Sequence, residues 1–150
     1  MLKNLIYSTI HNNDQVGHGH ARSKFMSPQA WTAGNGGKHA GEWMMMDLDR
    51  ETFIKGLVIQ KRGDAPWTNQ YVTNISVSFF SSEAAKNAGV PDRAIYAGPT
   101  DSFEVSYDGQ GKAQLDFEQG VYARYVKITV NGFNEYISMT QWLKSVFWRK

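Results

Sequence analysis

Between Tyr71 and Phe80 apolar and polar residues alternate. Tyr71, Thr73, Ile75, Val77 and Phe79 fall on one side of an extended chain, and Asn74, Ser76 and Ser78 on the other. Period two is the signature of a half-buried strand, since side chains on a helix repeat every ~3.6 residues instead. Such a strand cannot cover its own apolar face. The rest of the chain must supply partner strands and an opposing layer.

Other stretches fit that demand. Trp43–Leu48, Phe53–Gln60, Ala94–Ala97, Ser102–Tyr107, Ala113–Phe117 and Tyr122–Val130 read as strands, and Ile137–Trp148 as a closing extended segment. Phe53–Gln60 is apolar on both faces, as a central strand should be. Asp108-Gly109 is a hairpin signal. Ser82–Ala88 reads as a short helix, with Ser82 able to cap its start and Gly89 followed by Pro91 to stop it. Met1–His20 is polar and irregular, and Ala21–Gly41 is loop-like, with Pro28, Gly34, Gly36 and Gly37. About eight strands separated by turns predict an all-β sandwich with one short helix.

Size and composition narrow the functions available. A chain of 150 residues suits one domain, 1–150, which buries roughly two-thirds of its unfolded surface and needs no disulfide or metal to fold. Cysteine is absent, so thiol nucleophiles and cysteine metal sites are excluded. The net charge is +2 with no basic block, which argues against nucleic acid as a partner. No apolar run approaches the ~18 residues of a membrane span. Asn4 and Ser8 interrupt the first ten residues, so no signal peptide is read there. The expected location is cytoplasmic, or a cell surface reached by a non-conventional route.

Four stretches in order resemble the discoidin or coagulation-factor C-type family. Ala30-Trp31-Thr32-Ala33-Gly34, with Glu42–Leu48, is similar to that family's AW-S/T-A loop and QWLQVDLG strand. Ile54–Asp64 resembles V-x-G-V-x-x-Q-G-R-G-D. Tyr71–Phe79 resembles WVTSYKVxYS, and Ala123–Ile128 resembles ARYVRI. Asn134–Met139 stands for the terminal region. The likeness runs from about His18 to Met139. It implies a galactose-binding-like jelly roll, similar to family 32 carbohydrate-binding modules, with ligand loops clustered at one end. It further implies a sugar, an anionic phospholipid or a protein as ligand.

Candidate site residues follow from both readings. Gly34-Asn35-Gly36-Gly37-Lys38-His39 is not a phosphate loop, because Thr32 stands where the first glycine belongs and His39 follows the lysine. It reads as a flexible turn or as a binding loop offering Lys38 and His39. Arg62, Asp64 and Trp67 lie just beyond an apolar strand. A guanidinium donates directed hydrogen bonds to hydroxyls, a carboxylate accepts them, and an aromatic face stacks on a sugar ring. The alternative is an Arg62–Asp64 pair bracing its own loop. By resemblance, a sugar would be met by His39, Arg62 and Asn69, with Trp31 on the neighbouring loop. A galactose- or fucose-type glycan is the expected ligand. Arg62-Gly63-Asp64 is also the tripeptide integrins read, a match easily met by chance.

Remaining features point elsewhere. His18 and His20, with His11 nearby, would share a side on an extended segment and offer a nickel or zinc site, or be a solvated loop. The calcium loop of many sugar-binding relatives is not visible between Phe25 and Trp43, so structural calcium stays open. Lys24-Phe25-Met26 could form a lipid-seeking spike. Trp142, Phe147 and Trp148, with Lys144, Arg149 and Lys150, suit a lipid interface, a packed closing strand or a subunit contact. No catalytic motif is present. The chain reads as a non-enzymatic, lectin-like binding module, alternatively a phospholipid-binding or protein-binding adhesion unit, and a candidate homo-oligomer.

Overall fold

The computed structural model describes residues 4–23, 29–34, 38–91 and 102–145. Seven strands are found there: β1 (Asn4–Tyr7), β2 (Trp31–Thr32), β3 (Trp43–Gln60), β4 (Tyr71–Phe80), β5 (Phe103–Glu104), β6 (Lys112–Asn134) and β7 (Ser138–Ser145). One helix, α1 (Glu83–Ala88), and a 3₁₀ turn (His11–Asn13) complete the described elements. All pairings are antiparallel.

β3 and β6 are long because each serves two layers. The first half of β3 pairs with β1 and with β6 residues 121–129, and β6 goes on to β4 and β5. The second half of β3 pairs with β6 residues 112–116 and with β7, which carries β2. Register shifts between Asp47 and Thr52 and between Ile54 and Gly56 mark the crossing. Strands that change sheets at such irregularities make the corners of a sandwich. The result is a jelly-roll β-sandwich. Met44, Met46, Val77, Phe79 and Ile128 from one layer meet Trp31, Leu57, Ile59, Leu115 and Met139 from the other in a single core.

The helix forms as its ends dictate. Ser82 accepts a hydrogen bond from the Ala85 N–H (3.1 Å), and Gly89 adopts the left-handed conformation at φ 70°. Ala85 packs on Met45, Phe80 and Tyr125, covering the outer face of the first layer.

Several expectations are corrected. The segment expected to be irregular contains β1, whose Leu5, Ile6 and Tyr7 run beside Met46, Met45 and Met44. Four residues show too little periodicity to declare a strand. Trp43–Leu48 and Phe53–Gln60 are one strand, as are Ala113–Phe117 and Tyr122–Val130, because the polar segments between them are bends and not ends. Ser102–Tyr107 contributes only Phe103–Glu104 as regular strand. The alternation in β4 changes phase at Thr73, where the register with β6 shifts. Val72 therefore joins the core and Tyr71 and Thr73 stay half-buried. The Asp108 turn uses Gly111 (φ 75°), not Gly109, as its left-handed residue, and the Asp108 carboxylate accepts the Gln110 and Lys112 N–H groups. Ala94–Ala97, Lys24-Phe25-Met26, Phe147 and Trp148 lie outside the described residues. No described helix is long and apolar enough to cross a membrane.

Candidate functional site

The pairings Thr32–Ser138, Gln60–Thr140 and Tyr71–Asn134 bring several strand ends to one end of the sandwich. There a pocket of about 220 Å³ is lined by His11, His20, Thr32, Arg62, Trp67, Gln70 and Tyr136. Ligand pockets for drug-sized molecules run from about 300 to 1,000 Å³, so this one suits a smaller guest.

Arg62 forms its floor and is 6% exposed. Its Nε and Nη2 donate to the two oxygens of Asp64, at 2.5 and 3.0 Å. Its Nη1 donates to Thr32 Oγ1 (3.3 Å) and Gln70 Oε1 (3.2 Å). Ser138 Oγ donates to the same Gln70 oxygen (3.2 Å) and lies 2.9 Å from Thr32 Oγ1. A guanidinium carries five N–H groups, and four are committed in this network. The planar fork expected to hold two ligand hydroxyls is closed on Asp64 instead. The bracing alternative describes the geometry, and the Arg62-Gly63-Asp64 tripeptide is folded on itself with its arginine buried. One Nη2 hydrogen is left over.

Trp67 stands at the mouth, 48% exposed. Turns hold it, with its N–H on the Asp64 carbonyl (2.9 Å) and its carbonyl accepting from Gln70 (3.1 Å). The Arg62 guanidinium lies 5.8 Å from its ring centre. An aromatic ring on a backbone held at both its N–H and its carbonyl, and left half open, is a ready stacking surface.

The opposite wall comes from the histidine-rich segment. That segment is a tight turn, with Gly17 at φ 90° and Gly19 at φ 49°, and not the extended run that would align its histidines. His18 is exposed, while His20 is half-buried. Asp14 Oδ2 accepts both the His20 backbone N–H (2.8 Å) and its ring Nδ1 (2.7 Å). A side chain at Gly19 would collide with that carboxylate. The His11 ring meets His20 edge-on at 4.5 Å. Among the described residues no three His, Asp or Glu side chains converge to hold a metal ion. Part of the loop where calcium was considered, residues 24–28 and 35–37, lies outside the described residues.

Arg62 and Asp64 neutralise one another. The hydrogen bonds from Arg62 hold the Asp64 carboxyl below its ordinary value of 3.8. The backbone N–H of His20, and then its ring, do the same for Asp14. Depressed carboxylates favour the folded state above that ordinary value and lose the contribution as pH falls below it. Both stay ionised under mildly acidic conditions.

Three expected residues sit elsewhere, and a fourth stands at the rim. Trp31 is fully buried, donates its indole N–H to the Thr9 carbonyl (2.8 Å) and packs on Tyr7. It is a core residue beneath the site, with no surface to offer a ligand. His39 is exposed and does not line the pocket. Asn69 is exposed, and its backbone carbonyl accepts from Asn134 Nδ2 (2.7 Å). Lys38 reaches the rim, with Nζ 5.0 Å from the ring centre of Tyr136. Sequence reasoning missed Thr32, Gln70 and Tyr136 as lining residues and read His11 and His20 only as metal or solvent-facing groups. The one signal available was the position of Tyr136 within the terminal stretch Asn134–Met139.

Comparisons with known proteins agree with this architecture. No curated protein matches the sequence. Wild-type discoidin II from Dictyostelium discoideum superposes with a TM-score of 0.66 at 17% identity, over 99% of this chain and 56% of its own. The chain thus spans little more than half of that relative. The family 32 carbohydrate-binding module of NanJ from C. perfringens, solved with galactose, gives 0.60 at 11% identity, over 93% of both chains. A chitosan-binding module from Paenibacillus sp. IK-5, solved with chitotriose, gives 0.58 at 14%, over 95% of this chain and 96% of its own. The family description F5/8 type C domain matches residues 8–143. With nearly the whole sequence covered, the chain belongs to the F5/8 type C domain family.

Proposed function

We propose that this protein is a non-enzymatic carbohydrate-binding module that holds one neutral sugar ring in the Arg62–Trp67 pocket. The carrying observation is the half-exposed Trp67 ring beside a small pocket floored by a braced arginine. The ring takes the C–H face of a sugar. The Arg62 Nη2 hydrogen, the Gln70 amide, the Tyr136 hydroxyl and the His20 imidazole meet its hydroxyls. Lys38 borders the rim. Structural relatives solved with galactose and chitotriose lend support to a glycan ligand, and galactose- and fucose-type sugars are the first to test.

Two features favour this over neighbouring readings. Asp64 already neutralises Arg62, so the pocket offers less to an anionic lipid head group than a free guanidinium would. Asp14 and Asp64 are both engaged by hydrogen bonds, which argues against an acid–base carboxylate pair. A small polar ligand buries little area, so affinity for one site falls on the order of millimolar to micromolar. Several copies, by self-association or fusion, then supply avidity.

Trp67→Ala tests the reading. Loss of the stacking face costs about 1–2 kcal/mol, or about five- to thirtyfold in galactose affinity by calorimetry. The fold is expected to change by no more than about 0.5 kcal/mol, because the ring is half exposed. Unchanged galactose affinity in Trp67→Ala would rule out the stacking role.

A further inference from the structure

We propose that His20, set by Asp14, is the proton-controlled acceptor of the pocket, so that neutral sugars are held near neutrality and released under mild acid. The inference rests on the sugar reading above and adds its regulation.

Arg62 and the Trp67 indole can only donate. Gln70 Oε1 has both lone pairs taken, by Arg62 and Ser138, which leaves that side chain its amide hydrogens. A pocket so rich in donors still has to receive the protons of sugar hydroxyls. The Thr32 and Tyr136 hydroxyls can accept as well as donate, and the imidazoles are the acceptors that a proton can switch off. Asp14 is an ionised carboxylate and accepts only, so His20 Nδ1 must carry the hydrogen of their 2.7 Å bond. In the neutral ring Nε2 is then a lone pair, on a side chain that lines the pocket. Asp14 is a positioning residue, and it also fixes the backbone through the His20 N–H.

Proton uptake from solvent turns Nε2 into a donor. A hydroxyl that had donated to it is left without an acceptor, which typically costs tenfold or more in binding. The surrounding charges set the context. Asp14 lies on one side, His11 sits edge-on at 4.5 Å, and Arg62 and Asp64 face the ring from the β3–β4 loop. His11 and Arg62 would oppose a sugar-bound, fully protonated state, while Asp14 and Asp64 remain ionised and keep the fold intact.

The experiment is galactose titration by calorimetry at about pH 7.5 and about pH 5. It is paired with nitrogen-15 NMR of the imidazoles in the free protein. We expect the Nδ1–H form of His20 at the higher pH, and galactose affinity about tenfold weaker at the lower. His20→Gln, which keeps a polar group but cannot titrate, should flatten the profile. Asp14→Asn should release the tautomer while leaving the protein folded by circular dichroism. Galactose binding with a flat wild-type profile, or a profile unchanged in His20→Gln, overturns the inference but leaves the sugar reading standing. No galactose bound at either pH by folded protein overturns both.

Discussion

Replacing Arg62 with lysine is expected to lower thermal stability and sugar affinity together. Lysine keeps the charge but has three donors on one atom, so it cannot span Asp64, Thr32 and Gln70 at once. The four guanidinium hydrogen bonds cannot all be replaced, and buried Gln70 and Thr32 oxygens lose a partner. Breaking a buried pair costs about 3–5 kcal/mol, and Asp64 is partly solvated, so about 2–3 kcal/mol is the reasonable figure. In a domain of this size that lowers the melting temperature by about 5–10 °C. Galactose affinity falls because the floor shifts and the loop carrying Trp67 loosens. Differential scanning calorimetry beside sugar titration reads both. An unchanged melt with binding lost would make Arg62 a free ligand group and contradict the bracing network.

Gly56→Ala is expected to destabilise by about 1–3 kcal/mol, toward the upper end. Gly56 lies where β3 changes layers, paired with Asp116 on one side and Lys144 on the other. Its φ is unexceptional, so the requirement is space. A Cβ there would run into the Leu115 carbonyl oxygen, and behind it stand Lys144 Cδ (3.2 Å) and Asp116 Cα (3.3 Å). A side chain could move aside; the backbone carbonyl of a paired strand cannot without breaking the ladder. Urea melts of Gly56→Ala measure this directly. A variant as stable as the parent would show that the two layers part more easily here than their pairing indicates.

These two positions also show what the sequence could and could not reveal. Period-two alternation, the helix between Ser82 and Gly89 and four ordered motifs were enough for the jelly roll, because each reports on local backbone and burial. The continuity of β3 and β6 was hidden. A bend with polar residues looks like a loop when partner strands are unknown. The site was legible only along the β3–β4 loop, where Arg62, Asp64 and Trp67 are close in sequence. Its far wall is built by long-range pairing. β1 delivers His11, the Gly17–His20 turn delivers His20, and the β6–β7 connection delivers Tyr136. Trp31 misled because a tryptophan in a family loop motif reads the same whether it faces ligand or core. Only the Thr9 carbonyl waiting for its indole N–H decides.

The role of Arg62 likewise turned on geometry. Two residues apart, an arginine and an aspartate can either present a joint surface or close on each other. Thr32 from β2 and Gln70 at the end of the same loop settle it by accepting from the guanidinium, and Ser138 from β7 bonds to both of them.

On the proposed reading a sugar sits in the pocket between Trp67 and His20. Amide and side-chain NMR of the labelled protein during galactose titration tests it most directly. Saturable shifts are expected, confined to the Trp67 indole, the Arg62 and Gln70 side chains, Tyr136 and the imidazoles of His11 and His20, with Trp31 unmoved in the core. Shifts clustered on another face, or none at saturating galactose and fucose in folded protein, would contradict it.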